Sequence, residues 1–191
     1  MLEFDISSEK FEGKKMKKEV REYIASDIEH IVDYFVNADP EFLLHMGADQ
    51  SKLPKRQEWI DKLKSELEKP YAQKEYYYII WLLEDEPIGH SNVNHIHYGE
   101  SATMHLHLWE RKKRKSGLGL EFLKLTIPFY FQNLKINTLV CEPYAKNVAP
   151  NRTLKKLGFD FIRTYETIPG LINFRQMVNR YELSRTKFDS Y

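Results

Sequence analysis

The feature that most constrains this chain is a glycine turn at residues 114–119, which separates an alternating, strand-like run at 102–109 from an apolar, helix-like run that follows it. A strand, a turn and a helix N-terminus in this order expose backbone N–H groups where the helix dipole favours negative charge. Glycine allows a phosphate to approach the backbone because no Cβ stands in the way. The sequence therefore predicts a site for a phosphorylated cofactor.

Length and composition predict one domain over residues 1–191, with a polar and flexible stretch at 1–15 and a helical segment at 40–72. Hydrophobic residues make up 42% of the chain, which is enough for a sizeable core. The formal net charge of +1 gives no global field for nucleic acid. The longest apolar run, at 76–83, is far shorter than a membrane span, so neither nucleic acid nor a membrane is an expected partner.

The single cysteine, Cys141, excludes an intrachain disulfide and fits a reducing compartment. Residues 1–6 lack the basic and apolar regions of a secretory signal. We therefore expect a cytoplasmic location.

Hydrophobic periodicity predicts a single mixed α/β domain. Ser26 and Glu29 predict a capping box at the first helix, Asp39–Pro40 predicts its end, and Pro128 predicts a kink or an early end in the helix after the glycine turn. Strands are predicted at 16–23, 76–83, 88–98, 102–109, 136–141, 159–166 and 175–183, and helices from Ser26 and at 55–68, 118–131 and 151–157.

The pattern Arg114-x-x-Gly117-x-Gly119 resembles the pyrophosphate loop of the GNAT superfamily of acetyl-CoA-dependent N-acetyltransferases, Arg/Gln-x-x-Gly-x-Gly/Ala. A second motif of that family is an Asn followed by a short helix and Gly-Phe, and here Asn147 precedes a segment that ends at Gly158-Phe159. The resemblance covers residues 17–183. The sequence is equally similar to the ribosomal-protein, aminoglycoside and siderophore-precursor branches of that family.

The resemblance implies a central, twisted, mostly antiparallel sheet flanked by helices, with a splayed fourth and fifth strand at 103–109 and 136–141. It implies acetyl-CoA as co-substrate, with the pantetheine arm pairing to the splayed strand and the diphosphate held by the glycine turn. The cofactor-binding residues implied in this way are Leu108, Trp109, Arg114, Lys115, Ser116, Gly117, Leu118, Gly119 and Asn147.

The same resemblance implies direct transfer of acetyl to a primary amine of a small molecule or a peptide, within a ternary complex. The acceptor identity stays open, although Phe42, His45 and Trp59 lie in the segment where family members vary. Edge strands near the C-terminus often pair in this fold, so a homodimer is one assembly that the resemblance allows.

Many family members carry a carboxylate base on the fourth strand, but no Asp or Glu occurs at 102–109. His105 and His107 are spaced by two and lie on one face of the strand, and an imidazole that titrates near neutral pH suits a base. Both histidines are therefore candidate bases, and a purely structural role is the alternative.

The family also places a tyrosine in the short second-motif helix to protonate the leaving thiolate, and this chain has Leu154 there. Tyr144, just beyond the fifth strand, is the candidate substitute, with Tyr165 a weaker one and water a third. These departures keep a second hypothesis open, in which the chain is a non-catalytic acyl-CoA-binding or regulatory module of the same fold.

Three other interpretations compete with this one. Four histidines, His95, His97, His105 and His107, form two His-x-His pairs, but no carboxylate or cysteine spacing supports a metal site and none is expected. The basic residues at 111–115 would suit nucleic acid, although beside the glycine turn they suit the phosphates of a cofactor better. Cys141 has no partner in the sequence for nucleophilic catalysis.

Overall fold

A computed structural model describes residues 16–114 and 117–190, so the stretch at 1–15 that was predicted to be flexible lies outside it. Across the described residues the strands form one sheet in the order β1-β2-β3-β4-β5-β7-β6. The strands are β1 (Lys18–Glu22), β2 (Tyr77–Leu83), β3 (Glu86–His97), β4 (Ser101–Leu108), β5 (Thr138–Cys141), β6 (Asp160–Thr167) and β7 (Gln176–Ser184). The helices are α1 (Ile28–Val36), α2 (Pro40–Met46), α3 (Arg56–Glu68), α4 (Leu118–Leu134), α5 (Val148–Lys156) and α6 (Arg185–Phe188).

Every neighbouring pair in the sheet is antiparallel except β4 and β5, which run parallel. The predicted mixed α/β fold with a mostly antiparallel sheet is confirmed. Alternation along the strands separates two apolar layers, because successive side chains point to opposite faces.

One layer lies between the sheet and the helices α4 and α5, where Trp81 of β2 stacks on Phe122 of α4 with ring centroids 5.3 Å apart. The other lies between the sheet and the helices α1 and α3, where Ile80 of β2 packs with Ile31 and Leu63. The two faces of β4 therefore meet different environments, and this separates its candidate catalytic side chains from α4.

The start of the helical region differs from the prediction. The predicted Ser26–Glu29 capping box does not form at α1, whose N-cap residue Asp27 makes no side-chain capping bond to it. The Asp27 carboxylate instead accepts from the N–H of Ile24 at 2.8 Å, at the short 3-10 turn over residues 25–27, and pairs with Arg21 at 2.5 Å. Asp39–Pro40 opens a helix rather than ending one, since α1 already stops at Val36 and the Asp39 side chain accepts from the N–H of Glu41.

Pro128 does not shorten α4, which continues to Leu134, so the prediction of an early end is wrong. Three of the residues after the proline, Tyr130, Phe131 and Leu134, are fully buried in the core under the sheet, and this packing outweighs the lost backbone hydrogen bond. The predicted end of α5 is confirmed, because Gly158 follows its C-cap at φ +82°.

Candidate active site

The parallel strands β4 and β5 pair only at their start. Ser101, Ala102 and Thr103 pair with residues 138–140, after which β4 continues to Leu108 while β5 ends at Cys141. Beyond Thr103 this edge of β4 therefore has no strand beside it, and the predicted splay of the fourth and fifth strands is confirmed. An extended ligand fits such a gap, because its polar groups can take the hydrogen bonds that a strand would make.

The glycine turn leads into α4 next to this gap. Gly117 caps α4 at φ +87°, a left-handed conformation that favours glycine, and its carbonyl accepts from the N–H of Leu120 at 3.0 Å. A Cβ added at Gly117 or Gly119 would meet no described atom within 4 Å, so the space over the helix N-terminus is open. The turn therefore fits a phosphate group, although Lys115 and Ser116 of the predicted loop lie outside the described residues.

The guanidinium of Arg114 makes its hydrogen bonds within the protein. Its Nε and Nη2 donate to the carbonyl of Leu108 at 3.1 and 3.0 Å, and its Cζ lies 4.0 Å from the centre of the Phe42 ring. The side chain thereby joins the end of β4 to α2 and fixes the path of the turn. Its positive charge stays beside the turn, while its N–H groups are used by the carbonyls of β4.

His105 and His107 lie together on the face of β4 that is opposite Met104, which belongs to the layer under α4. The Nε2 of His105 lies 3.1 Å from the Oδ1 of Asn94, so Nε2 carries the proton and Nδ1 keeps a free lone pair. Burial, with a smaller effect of His95, lowers the pKa of His105 to about 4. The imidazole is therefore neutral at physiological pH, but it is a weaker base than the histidine titrating near neutral pH that the sequence leads one to expect.

His107 packs between aromatic rings on α1. Its ring centroid lies 5.3 Å from that of Tyr34 and 5.1 Å from that of Phe35. Burial, followed by the charges of His90, His105 and Arg114, lowers the pKa of His107 well below its ordinary value.

His90 of β3, for which no sequence pattern predicts a role, lies directly opposite His107 of β4. His90 is 0% exposed, and its Nδ1 accepts from the indole N–H of Trp109 at 2.8 Å. Burial, with a smaller effect of His105, lowers the pKa of His90 to about 3. Only the pairing of β3 with β4 shows this contact, because nothing in the local sequence around residue 90 points to residue 107 or 109.

Tyr144 follows β5 and forms an isolated bridge with Val178 of β7. Its ring contacts Phe174 edge to face at a centroid distance of 5.9 Å. The structure thus places Tyr144 at the far side of the gap from β4, on the loop that leads into α5.

Asn147 is the N-cap of α5, but its side chain makes no capping hydrogen bond. Its carbonyl accepts from the Nδ2 of Asn151 at 2.7 Å, and Asn151 in turn accepts from Asn179 of β7 at 2.7 Å. Asn151 thereby holds the loop in place and leaves the Asn147 side chain available to a ligand. Leu154, which stands where the family often has tyrosine, is fully buried in the core.

A second polar cluster lies at the end of β5 and was not foreseen. The carboxylate of Glu142 accepts from the hydroxyl of Tyr165 at 2.6 Å and from Arg180 at 2.8 Å. Burial and the bond to Glu142 raise the pKa of Tyr165, which makes it a poor proton donor near neutral pH. The neighbouring Cys141 thiol is also inert, because burial raises its pKa to about 12.

A cavity of about 390 Å³ opens between α1, α2 and the end of β4. Aromatic rings form much of its wall, and its charged groups are Asp33, which pairs with Arg56, and Arg114. Of the side chains proposed from sequence for the acceptor pocket, Phe42 lines this cavity, Trp59 packs in the core against Phe35, and His45 is exposed. The lining includes His30, Asp33, Tyr34, Phe42, Trp109 and Arg114.

Within residues 16–114 and 117–190, no group of three or more His, Cys, Asp or Glu side chains is arranged to hold a metal ion. His95 and His97 are exposed at an irregular part of β3, whereas His105 and His107 are partly buried on β4. No helix in the same described part of the chain is long and apolar enough to cross a membrane.

Comparison with known proteins gives one family and a set of similar folds. The family model described as the acetyltransferase (GNAT) domain matches residues 19–160. A search of curated protein sequences found no match.

Three solved structures illustrate the likeness of fold. A spermidine N-acetyltransferase from Vibrio cholerae in complex with CoA and spermine has a TM-score of 0.73 at 14% identity, covering 90% of this chain and 97% of that one. A ribosomal-protein-S5-alanine acetyltransferase from Vibrio fischeri has a TM-score of 0.72 at 15% identity, covering 90% and 94%. An aminoglycoside acetyltransferase in complex with coenzyme A and kanamycin has a TM-score of 0.69 at 15% identity, covering 91% and 98%.

Proposed function

This chain belongs to the acetyltransferase (GNAT) domain family, and we propose that it transfers the acetyl group of acetyl-CoA to the primary amine of a small molecule. The observation that carries the proposal is the gap between β4 and β5 beside the open N-terminus of α4. The gap suits an extended arm, and the open helix N-terminus suits a diphosphate, which are two parts of one ligand.

The residues that would hold acetyl-CoA follow from this arrangement. The pantetheine arm would pair along the edge of β4 that has no strand beside it beyond Thr103, and the N–H groups of residues 115–119 would bind the diphosphate. Leu108 and Trp109, which the resemblance assigns to the arm, have carbonyls that already accept from Arg114, so the arm would pair mainly with the β4 residues before them. Arg114 would add charge while its side chain fixes the turn on β4. Asn147 would contact the arm from the side of α5, because its side chain makes no capping hydrogen bond to the helix.

The proposed reaction is a direct attack on the thioester. The amine loses a proton and attacks the carbonyl carbon, the C–S bond breaks, and the sulfur leaves with its electron pair as a thiolate that is then protonated. His105 is the proposed proton acceptor, because its Nδ1 is unprotonated at neutral pH. His105 is not among the residues that line the cavity, so the proton would reach it through water. Tyr144 is the proposed proton donor to the thiolate.

The cavity between α1 and α2 supports a small-molecule acceptor. Its volume of about 390 Å³ lies in the range of ligand pockets and is small for a groove that admits a protein surface. Its one lining carboxylate, Asp33, is already paired with Arg56, so the cavity has little charge to attract a polycation.

Two further parts of the proposal concern assembly and location. A homodimer through β6 is supported by the position of β6 at the sheet edge and by the exposed side chains of Phe161 and Ile162. Light scattering coupled to size exclusion would measure it. A cytoplasmic location is supported by the single cysteine, which fits a reducing compartment.

The test of the site uses two glycines with the same backbone conformation. Gly117 and Gly99 have φ of +87° and +80°, and an added Cβ meets no described atom at either. Gly117→Glu should weaken acetyl-CoA binding by about tenfold or more in calorimetry, because it brings a carboxylate to the diphosphate. Gly99→Glu carries the same strain at the turn between β3 and β4 and should leave the affinity unchanged.

Equal losses in both variants, or no binding by the wild type, would contradict the proposed cofactor site. Turnover is then followed as CoA release with a panel of amines that includes an aromatic monoamine, an alkyl monoamine, spermidine and kanamycin. Binding of acetyl-CoA without release of CoA for any amine would favour the non-catalytic module instead.

A further inference from the structure

Three ring side chains form a row on the face of β3 and β4 that carries the candidate base. His90 and His107 are cross-strand partners whose ring centroids lie 4.8 Å apart, and Trp109 donates to His90 from the other side. Gly89 makes this close approach feasible, because a Cβ at that position would overlap the backbone carbonyl of His107.

The bond from Trp109 determines where His90 carries its proton. An indole N–H can only donate, so the Nδ1 of His90 must accept, and the proton of the neutral imidazole therefore lies on Nε2. This Nε2 is buried and has no hydrogen-bond partner among the described residues. The Nδ1 of His107 is also buried, and it too has no hydrogen-bond partner among the described residues.

Nearly all buried polar atoms in proteins are hydrogen-bonded. A buried donor and a buried acceptor that face each other without a hydrogen bond are therefore unusual. The separation of the rings is short enough for one N–H···N bond of about 2.9 Å after a small rotation of the imidazoles, whose terminal torsion is soft. Tyr34, Phe35 and Tyr78 pack around the pair.

We propose that Trp109, His90 and His107 form a hydrogen-bonded relay, in which the Nε2–H of His90 donates to the Nδ1 of His107 and fixes the proton of His107 on its Nε2. In this tautomer His107 is a hydrogen-bond donor and has no free lone pair with which to accept a proton. Trp109 and His90 are positioning residues that act through His107.

The relay separates the roles of the two histidines of β4, and this consequence rests on the proposed acetyl transfer. His105 keeps a free Nδ1 lone pair and accepts the proton of the amine, because Asn94 fixes its proton on Nε2. His107 instead offers an N–H to an oxygen atom of one of the two reactants. Trp109 also lines the cavity. A ligand that moves Trp109 would therefore break its bond to His90, and the proton of His107 would no longer be fixed on Nε2.

Nuclear magnetic resonance of the full chain labelled with ¹⁵N-histidine tests the relay without any activity. Two-bond ¹H–¹⁵N spectra at pH 7 should show both His90 and His107 protonated on Nε2, with signals assigned from His90→Gln and His107→Gln. Trp109→Phe keeps an aromatic ring and removes the donor, so it should convert His90 and His107 to mixed tautomers. A proton on the Nδ1 of His107, or unchanged spectra in Trp109→Phe, would overturn the proposal.

Kinetics of two amide variants test the donor role. Glutamine can place its N–H₂ where the Nε2–H of His107 lies, whereas asparagine places it near Nδ1, and neither amide accepts a proton at neutral pH. His107→Gln should keep kcat within about tenfold of the wild type, and His107→Asn should lose about 10²-fold, the usual cost of a lost catalytic donor.

Equal losses in the two variants, with normal folding by circular dichroism, would contradict the donor role of His107. If the wild type transfers acetyl to no amine, the proposed function fails, and the tautomer spectra still decide whether the relay exists.

Discussion

His105 is held in one orientation by a single side chain, because its Nε2 bonds to the Oδ1 of Asn94. If it accepts the proton of the amine, His105→Gln should lower kcat by about 10²-fold or more while the affinity for acetyl-CoA stays constant. Steady-state kinetics and calorimetry on the same preparation measure the two quantities. His97→Gln, at an exposed position of β3, is the matched control and should change neither.

The pH profile gives a second check on the same residue. Because the pKa of His105 is about 4, the histidine is already unprotonated at pH 6, and kcat/KM should rise from pH 6 to 8 only as the amine loses its proton. An inflection near pH 6.5 that disappears in His105→Gln would show an ordinary histidine and contradict the buried environment seen here.

The C-terminal end of α2 is hydrogen-bonded to the loop between β6 and β7 and to the first residue of β7. Gly47 caps α2 at φ +84°, and its carbonyl accepts from Gln176 and from Asn173, both at 2.8 Å. A Cβ on Gly47 would overlap the buried amide of Gln176, which is 5% exposed and cannot move aside easily. This contact keeps α2, and with it Phe42, against the cavity.

Gly47→Ala should therefore destabilise the fold by about 1–3 kcal/mol and raise KM for the amine while leaving acetyl-CoA binding unchanged. Urea unfolding and steady-state kinetics measure both effects. Gly99→Ala, with φ of +80° and open space around it, separates the backbone strain from the overlap and should cost less. A KM for the amine that is unchanged in Gly47→Ala would show that α2 does not shape the acceptor site.

At the scale of the whole molecule, the buried histidines couple stability to pH. The pKa of His90 is about 3 and that of His105 about 4, and the pKa of His107 is also lowered. Between about pH 6.5 and about pH 4, these groups therefore bind protons in the unfolded chain but not in the folded one. Their contribution to stability is full above about pH 6.5 and is lost as the pH falls.

The free energy of unfolding should therefore decrease between pH 7 and 5.5, where carboxyl groups stay ionised, by about 1 kcal/mol for each of His90 and His105, and His107 should add to the decrease. Urea unfolding across this window measures it. His105→Gln should show a shallower decrease than the wild type, and His97→Gln the same decrease. A stability that is flat across the window in the wild type would contradict the predicted coupling.

The sequence by itself determined the features that depend on a few neighbouring residues. The glycine turn, the strand before it and the helix after it are local, because positive φ at Gly117, alternation in β4 and the apolar pattern of α4 each follow from short-range preferences. The same is true of the end of α5 at Gly158. These segments stand in an order that identified the family, and the fold and the splayed strands followed from that resemblance.

The tertiary structure alone decided how side chains far apart in sequence are used. His90 meets His107 where Gly89 allows the paired strands to approach closely, and Arg114 turns inward to the Leu108 carbonyl and packs against Phe42 of α2. Burial then shifts the pKa of each histidine on this face. Such contacts depend on strand register and on packing between distant segments, which no local pattern in the sequence records.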